Sequence, residues 1–259
     1  MITIEICAGS VKDVITASKF KEVNRIELNC ALESGGLTPS LQTFLLAKKY
    51  SDKKIICMVR PRSAGFIYND IEKECMFKDA ETFLKEGADG IVFGSLNKDH
   101  TVDEAFTEKM VTLIHSFHKE AVFHKAFDET KDPFKAMHTL IDLHVDRILT
   151  SGTKPDCTEG SDIIAKLIKE SDHKIQILPG GGITADNVLS ILHKTGCDQF
   201  HMSAKSYLDD NGSYPVVDAN NIQKVLAKLN YKPKPSLTGE DIAMLKNDHY
   251  ESYWDDNDD

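Results

Sequence analysis

Eight short apolar runs punctuate this chain, and each is followed by a stretch patterned as a helix. They are Ile2–Cys7, Arg25–Cys30, Lys54–Arg60, Gly90–Phe93, Ala121–Phe127, Arg147–Ser151, Lys174–Gly180 and Gln199–Ser203. Runs this short, rich in Val, Ile and Leu and separated by helical periodicity, indicate βαβ units and a parallel sheet. Eight of them predict a closed (β/α)8 barrel, an α/β fold that occupies about 250 residues. The chain has 259, so one domain uses nearly all of it. The barrel is expected over residues 1–230. Residues 231–259 form an acidic, aromatic C-terminal extension that starts at the helix-breaking Lys232-Pro233-Lys234-Pro235.

Charge bears on partners only once it is located. The formal net charge is −10, and residues 231–259 carry eight Asp or Glu against three Lys, which is half of it. The remaining excess is mild, with no broad basic surface, so nucleic acid is not an expected partner. The N-terminus lacks a basic segment leading into an apolar run, and no stretch approaches the ~18 apolar residues of a membrane span. A cytoplasmic protein without a membrane partner is expected. In the extension, Ile242, Leu245, Tyr250, Tyr253 and Trp254 form an apolar set expected to dock on the barrel or on a neighbouring subunit. The six cysteines include no CxxC pair, which argues against a disulfide framework or a zinc finger.

Helix starts fall between the runs. Thr38 is placed to cap a helix with Pro39 in its first turn, and Asp132-Pro133 repeats the device. Thr184 precedes a third, with Asp186 and Asn187 in its first turn. Gly87 and Gly196 are the matching stops.

In a parallel barrel the side chains at strand ends converge on the C-terminal face. Alternation puts Arg25, Glu27 and Asn29 on one face of the second run. A carboxylate inside a barrel must be paired or must bind something. Glu5 and Glu27, with Arg25, Arg60 and Arg62 as counter-charges, therefore form either an ion-pair network that fixes register or part of a reactive centre. Two strand-end histidines, His124 and His201, with Asp128, Glu27 and Arg60 in reach, offer acid, base and anion-binding groups together. Gly180, Gly181 and Gly182, between the seventh run and its helix, let backbone N–H groups approach an anion. Ser203 and the residues after it supply the second half of that site. These groups suit a lyase, isomerase or hydrolase acting on a small anionic or phosphorylated metabolite. Glu27, His124, Asp128 and His201 are its catalytic candidates, with His124 or Glu27 as base. Arg60, Arg62, Gly180–Gly182 and Ser203 are the anion-binding ones.

The ordered segments Ile4-Glu5-Ile6-Cys7, Arg25-Ile26-Glu27-Leu28-Asn29-Cys30, Gly35-Gly36-Leu37-Thr38-Pro39-Ser40, Val59-Arg60-Pro61-Arg62, Phe123-His124-Lys125-Ala126-Phe127-Asp128, Leu149-Thr150-Ser151-Gly152 and His201-Met202-Ser203 resemble those of the CutC family, named for copper homeostasis. The resemblance covers about the first four-fifths of the chain. It implies a cytoplasmic TIM barrel that associates as a dimer or higher oligomer, and Cu(I) held by Cys7 and Cys30, the nearest matches to cysteines proposed as ligands in that family. Thiolates on adjacent strands suit a soft monovalent ion. Two departures stand out. Lys125 occupies a position where the family usually has Arg. Asn29 follows Glu27-Leu28 where the family often has Cys, so that Cys30 comes one residue late. Copper handling, an enzyme and a barrel without turnover thus remain as three expectations.

Overall fold

The computed structural model describes residues 2–230, so the extension over 231–259 lies outside the described residues. Eight parallel strands are present: β1 (Thr3–Ala8), β2 (Val23–Leu28), β3 (Lys54–Met58), β4 (Gly90–Phe93), β5 (Glu120–Phe123), β6 (Arg147–Thr150), β7 (Gln176–Pro179) and β8 (Gln199–Met202). Their order is β7-β6-β5-β4-β3-β2-β1-β8, and a single parallel bridge between Gly180 and His201 joins the two ends. The sheet therefore closes as a barrel. Around it run α1 (Val11–Ser18), α2 (Leu41–Tyr50), α3 (Asp70–Lys85), α4 (Glu104–Ser116), α5 (Pro133–Asp142), α6 (Cys157–Ser171), α7 (Val188–Thr195) and α8 (Ala219–Lys228). No helix among the described residues is long and apolar enough to cross a membrane.

Period-two alternation divides each strand between two environments. Ile4, Ile6, Ala8, Ile26 and Leu28 face outward into the main core beneath the helices and are fully buried. Burying one Ile or Leu contributes about 1.5–3 kcal/mol. This outer shell carries the fold and leaves the inner face able to hold polar groups. Inside, a small separate cluster of Ile56, Met58, Val92 and Val122 fills one side. At the N-terminal end of the barrel the inward residues form a polar floor. Arg25 donates to Gln199 Oε1 (2.8 Å), Gln199 Nε2 and Arg147 Nε both donate to the side-chain Oε1 of Gln176 (3.2 and 3.1 Å), and Arg147 pairs with Glu120 (2.8 Å).

Local chemistry moved some boundaries. The run Ala121–Phe127 ends as a strand at Phe123, because the His124 ring accepts the Ala126 N–H (3.1 Å) and turns the chain into a 3-10 helix, Lys125–Glu129. Pro39 does not open α2: Ser40 is its cap, and Thr38 instead bonds the Arg60 backbone. Asp132 caps α5 with Pro133 first, as expected. The helix after the glycine loop begins only at Val188, so Thr184, Asp186 and Asn187 precede it, and Gly196 ends it in the left-handed conformation (φ 70°).

One element had not been expected. After β8 an antiparallel hairpin forms from β9 (Lys205–Asp209) and β10 (Ser213–Val217). It is tied to the barrel by the Val217 N–H, which donates to buried Asp13 (2.7 Å).

Candidate active site at the barrel mouth

At the C-terminal end of the strands lies a cavity of about 470 Å³. Its walls include Cys7 from β1, Glu27 from β2 and Asn29 just after it, Arg60 after β3, His124 and Lys125 after β5, Gly180–Gly182 after β7, and His201 from β8 with Ser203 just after it. The hairpin adds Lys205, Tyr207 and Pro215 to the rim. Parallel register explains the convergence, since Cys7 lies beside Glu27 and Glu5 beside both Arg25 and His201.

The Glu5–Arg25 pair is the structural part of the ion-pair network. Glu5, 2% exposed, accepts from Arg25 Nε (2.8 Å) on one oxygen and meets His201 Nδ1 (2.8 Å) with the other. Burial alone would raise its pKa, but the His201 hydrogen bond and the Arg25 charge outweigh burial and hold it at about 2. Glu27 has no arginine partner. Its Oε1 accepts from Asn29 Nδ2 (2.9 Å) and faces the Cys7 thiol (3.8 Å). Burial, reinforced by the negative charge of Glu5, raises its pKa. His201 is pushed the other way by burial, yet the charge of Glu27 and the contact with Glu5 raise its pKa well above the ordinary value. A proton-holding imidazole and a basic carboxylate thus share the cavity floor.

His124 is the opposite kind of histidine. Burial and the charge of Arg60 lower its pKa to about 3, so the ring is neutral. Because Nδ1 accepts from the Ala126 N–H, the proton of that neutral ring sits on Nε2. This ring is a donor, and the expectation that it serves as a general base does not survive the geometry. Arg60 is also committed: Nη1 donates to the carbonyls of Ser34, Gly35 and Gly36, and Nη2 to that of Ala64 (2.6–3.3 Å).

The remaining sequence candidates lie elsewhere or have other duties. Asp128 is not among the cavity-lining residues, and its oxygens accept from Thr150 Oγ1, Ser151 N and Oγ, and Thr153 N, fastening the loop after β6. Arg62 points away from the cavity, pairs with Glu72 and stacks on Tyr68 (4.9 Å). At the glycine loop the cation is Lys125, whose Nζ would lie 3.3 Å from a Cβ on Gly181 and which donates to Ser151 Oγ (3.0 Å). Asn29 and Lys125 line the cavity without having been singled out as site residues, and so does Lys205, one of the residues after Ser203 expected to complete the anion site. Asn29 was legible, since it is in phase with Arg25 and Glu27.

A Cys7 sulfur, a Glu27 oxygen and a His201 nitrogen lie within 4.8 Å of one another. Sulfur and nitrogen suit Cu(I), whereas carboxylate suits harder ions. Cys30 takes no part: it follows Asn29 and so faces the other way, and its thiol donates to the Thr38 carbonyl (3.1 Å). The two-thiolate pair does not form in this geometry. Burial raises the pKa of both thiols, so each keeps its proton.

Residues 2–206 match the model of the CutC family. A CutC family protein of Treponema denticola is 48% identical over 203 residues, covering 78% of this chain and 81% of its own. A human protein named copper homeostasis protein cutC homolog is 36% identical over 206 residues, covering 80% and 74%. Among solved structures, a CutC protein from Streptococcus agalactiae superposes with a TM-score of 0.73 at 30% identity, over 78% of this chain and 99% of that one. A phosphoribosyl anthranilate isomerase from Thermococcus kodakaraensis, at TM-score 0.57 and 17% identity, shares the fold. The specific segments, the closed barrel and these relatives agree: the chain belongs to the CutC family.

Proposed function

We propose that this barrel binds a small oxygen-rich anionic metabolite at its mouth and moves a proton within it, as an isomerase or a lyase does. The observation that carries the reading is the Glu27–His201 pair, a carboxylate made more basic by burial beside an imidazole that keeps its proton. In such a step Glu27 takes a proton from the carbon next to a carbonyl, the electron pair moves onto the carbonyl oxygen, and His201 returns a proton to the product. Lys125 and Lys205 supply positive charge at the rim for an anionic group.

The family's copper role supports a second reading, in which Cys7, Glu27 and His201 hold a copper ion and Glu5 orients the imidazole from behind. The size of the cavity and its single thiol favour the metabolite. One experiment separates the two. The full chain is incubated in D2O with a panel of hydroxy acids, keto acids and sugar phosphates, and deuterium incorporation at carbon is followed by proton NMR. The expected result is exchange into at least one compound, slowed about 10²–10⁴-fold by Glu27→Gln. Exchange with no compound, together with anaerobic Cu(I) binding that Cys7→Ser abolishes and Cys30→Ser leaves intact, would replace the first reading with the second.

A further inference from the structure

Three buried polar atoms in the cavity wall have no hydrogen-bond partner among the described residues: His124 Nε2, Arg60 Nε and Asn29 Oδ1. Their side chains are 3%, 6% and 0% exposed. A buried polar group left unpaired is costly, and native proteins leave few of them. These three are also neighbours. Phe66 packs against both the His124 ring (4.8 Å between centroids) and the Arg60 guanidinium (4.9 Å). Gly36 joins Arg60 to Asn29: its carbonyl accepts from Arg60 Nη1 (3.2 Å), and a Cβ on it would lie 2.5 Å from Asn29 Oδ1.

The chemistry of each atom is fixed by its other contacts. His124 is neutral with its proton on Nε2, so it can only donate there. Arg60 uses both Nη1 hydrogens and one on Nη2 for backbone carbonyls, while its buried Nε–H has no acceptor and can only donate. The Asn29 amide nitrogen is engaged by Glu27, which leaves its carbonyl oxygen as an acceptor. We infer that the two N–H groups hold a carbonyl or carboxylate oxygen of the ligand while Asn29 Oδ1 accepts from a hydroxyl group on the same molecule. The substrate class is then a small hydroxylated carbonyl or carboxylate compound, a sugar or hydroxy acid. A neutral imidazole donor beside a guanidinium polarises a carbonyl without giving its proton away, and electrostatic groups preset in this way act on the oxygen where charge develops. The inference rests on the reading of the site as a metabolite pocket and adds what that metabolite must carry.

The test uses the full chain labelled with 15N-histidine, with glycolate, acetate and inorganic phosphate as probes. The His124 Nε2–H resonance is expected to be present in the free protein and to shift saturably with glycolate, at several-fold lower concentration than with acetate. Asn29→Leu is expected to remove the preference for glycolate over acetate. His124→Leu is expected to weaken glycolate about tenfold or more, whereas His124→Gln, which keeps an N–H donor, retains most of the affinity. The His201 resonance reports whether each variant is folded. A His124 resonance unmoved by glycolate, or a proton found on Nδ1, would overturn the inference. Deuterium exchange that depends on Glu27 but not on His124 would leave the proposed reaction standing and remove the oxygen clamp. Glycolate binding at His124 without any exchange would do the reverse.

Discussion

Replacing Glu5 with alanine is expected to lower the unfolding free energy by about 3–5 kcal/mol, the usual cost of removing one partner from a buried ion pair. Glu5 stands between two cations, Arg25 Nε and the His201 ring, each 2.8 Å away. Their side chains are 8% and 11% exposed, so water cannot replace the lost carboxylate. Arg62→Ala is the contrast. Its side chain is 40% exposed and its ion pair with Glu72 lies at the surface, where such pairs contribute about 0–1 kcal/mol. Urea unfolding of both variants at neutral pH measures the difference. A Glu5→Ala loss no larger than that of Arg62→Ala would mean that the buried network does not hold the barrel mouth in place.

The chain is also expected to be acid-sensitive through His124. Its folded pKa, about 3, lies below its ordinary 6.5, so the unfolded state binds the proton first. Stability is then lost as pH falls from 6.5 toward 3. Between pH 6.5 and 4.5 the loss amounts to about 2 kcal/mol, because the unfolded ring is already half protonated at 6.5 and the full slope of roughly 1.4 kcal/mol per pH unit is reached only below it. Other groups act on different windows or in the opposite sense. The contribution of Glu5 is complete above its ordinary 4.5 and is lost only as pH falls toward about 2. The raised pKa of His201 gives a contribution complete below 6.5 and lost as pH rises through its folded value. Glu27, also raised, gains stability as pH falls toward 4.5 and so opposes His124 in the same window. Comparing His124→Gln with the parent protein isolates the effect. The parent is expected to lose about 2 kcal/mol more than the variant between the two pH values. Parallel curves would show that His124 is not held neutral by its surroundings.

The barrel was legible because period-two alternation with intervening helical patterns leaves few other folds. All eight runs became strands, with Gly90–Phe93 unchanged and the others shifted at one or both ends. What alternation could not show was where a strand gives way to a side-chain interaction. The turn at His124 depends on its own ring accepting the Ala126 N–H, and that turn sends Lys125 into the cavity instead of outward. The hairpin after β8 had a local signal, Asn211-Gly212 between Tyr-containing segments, with positive φ at both residues. A barrel completed by its eighth strand makes no demand for a further hairpin, so that signal stands alone. Residue type alone placed Asp128 and Arg62 in the site, although their partners, Thr150 with Ser151 and Glu72, hold them in loop-supporting roles. Cys30 shows how one residue of displacement decides an outcome, for it turns a thiol from the face shared with Cys7 to the opposite side of the chain.

The protonation state of His201 is decisive, because a proton-transfer centre at the mouth requires an imidazolium beside Glu27. Nitrogen NMR of the 15N-histidine-labelled full chain at neutral pH reads both ring nitrogens. His201 is expected to carry a proton on each nitrogen, and Glu27→Gln to lower the pH at which one is lost. A neutral His201 with a bare Nε2, unaffected by Glu27→Gln, would contradict such a centre.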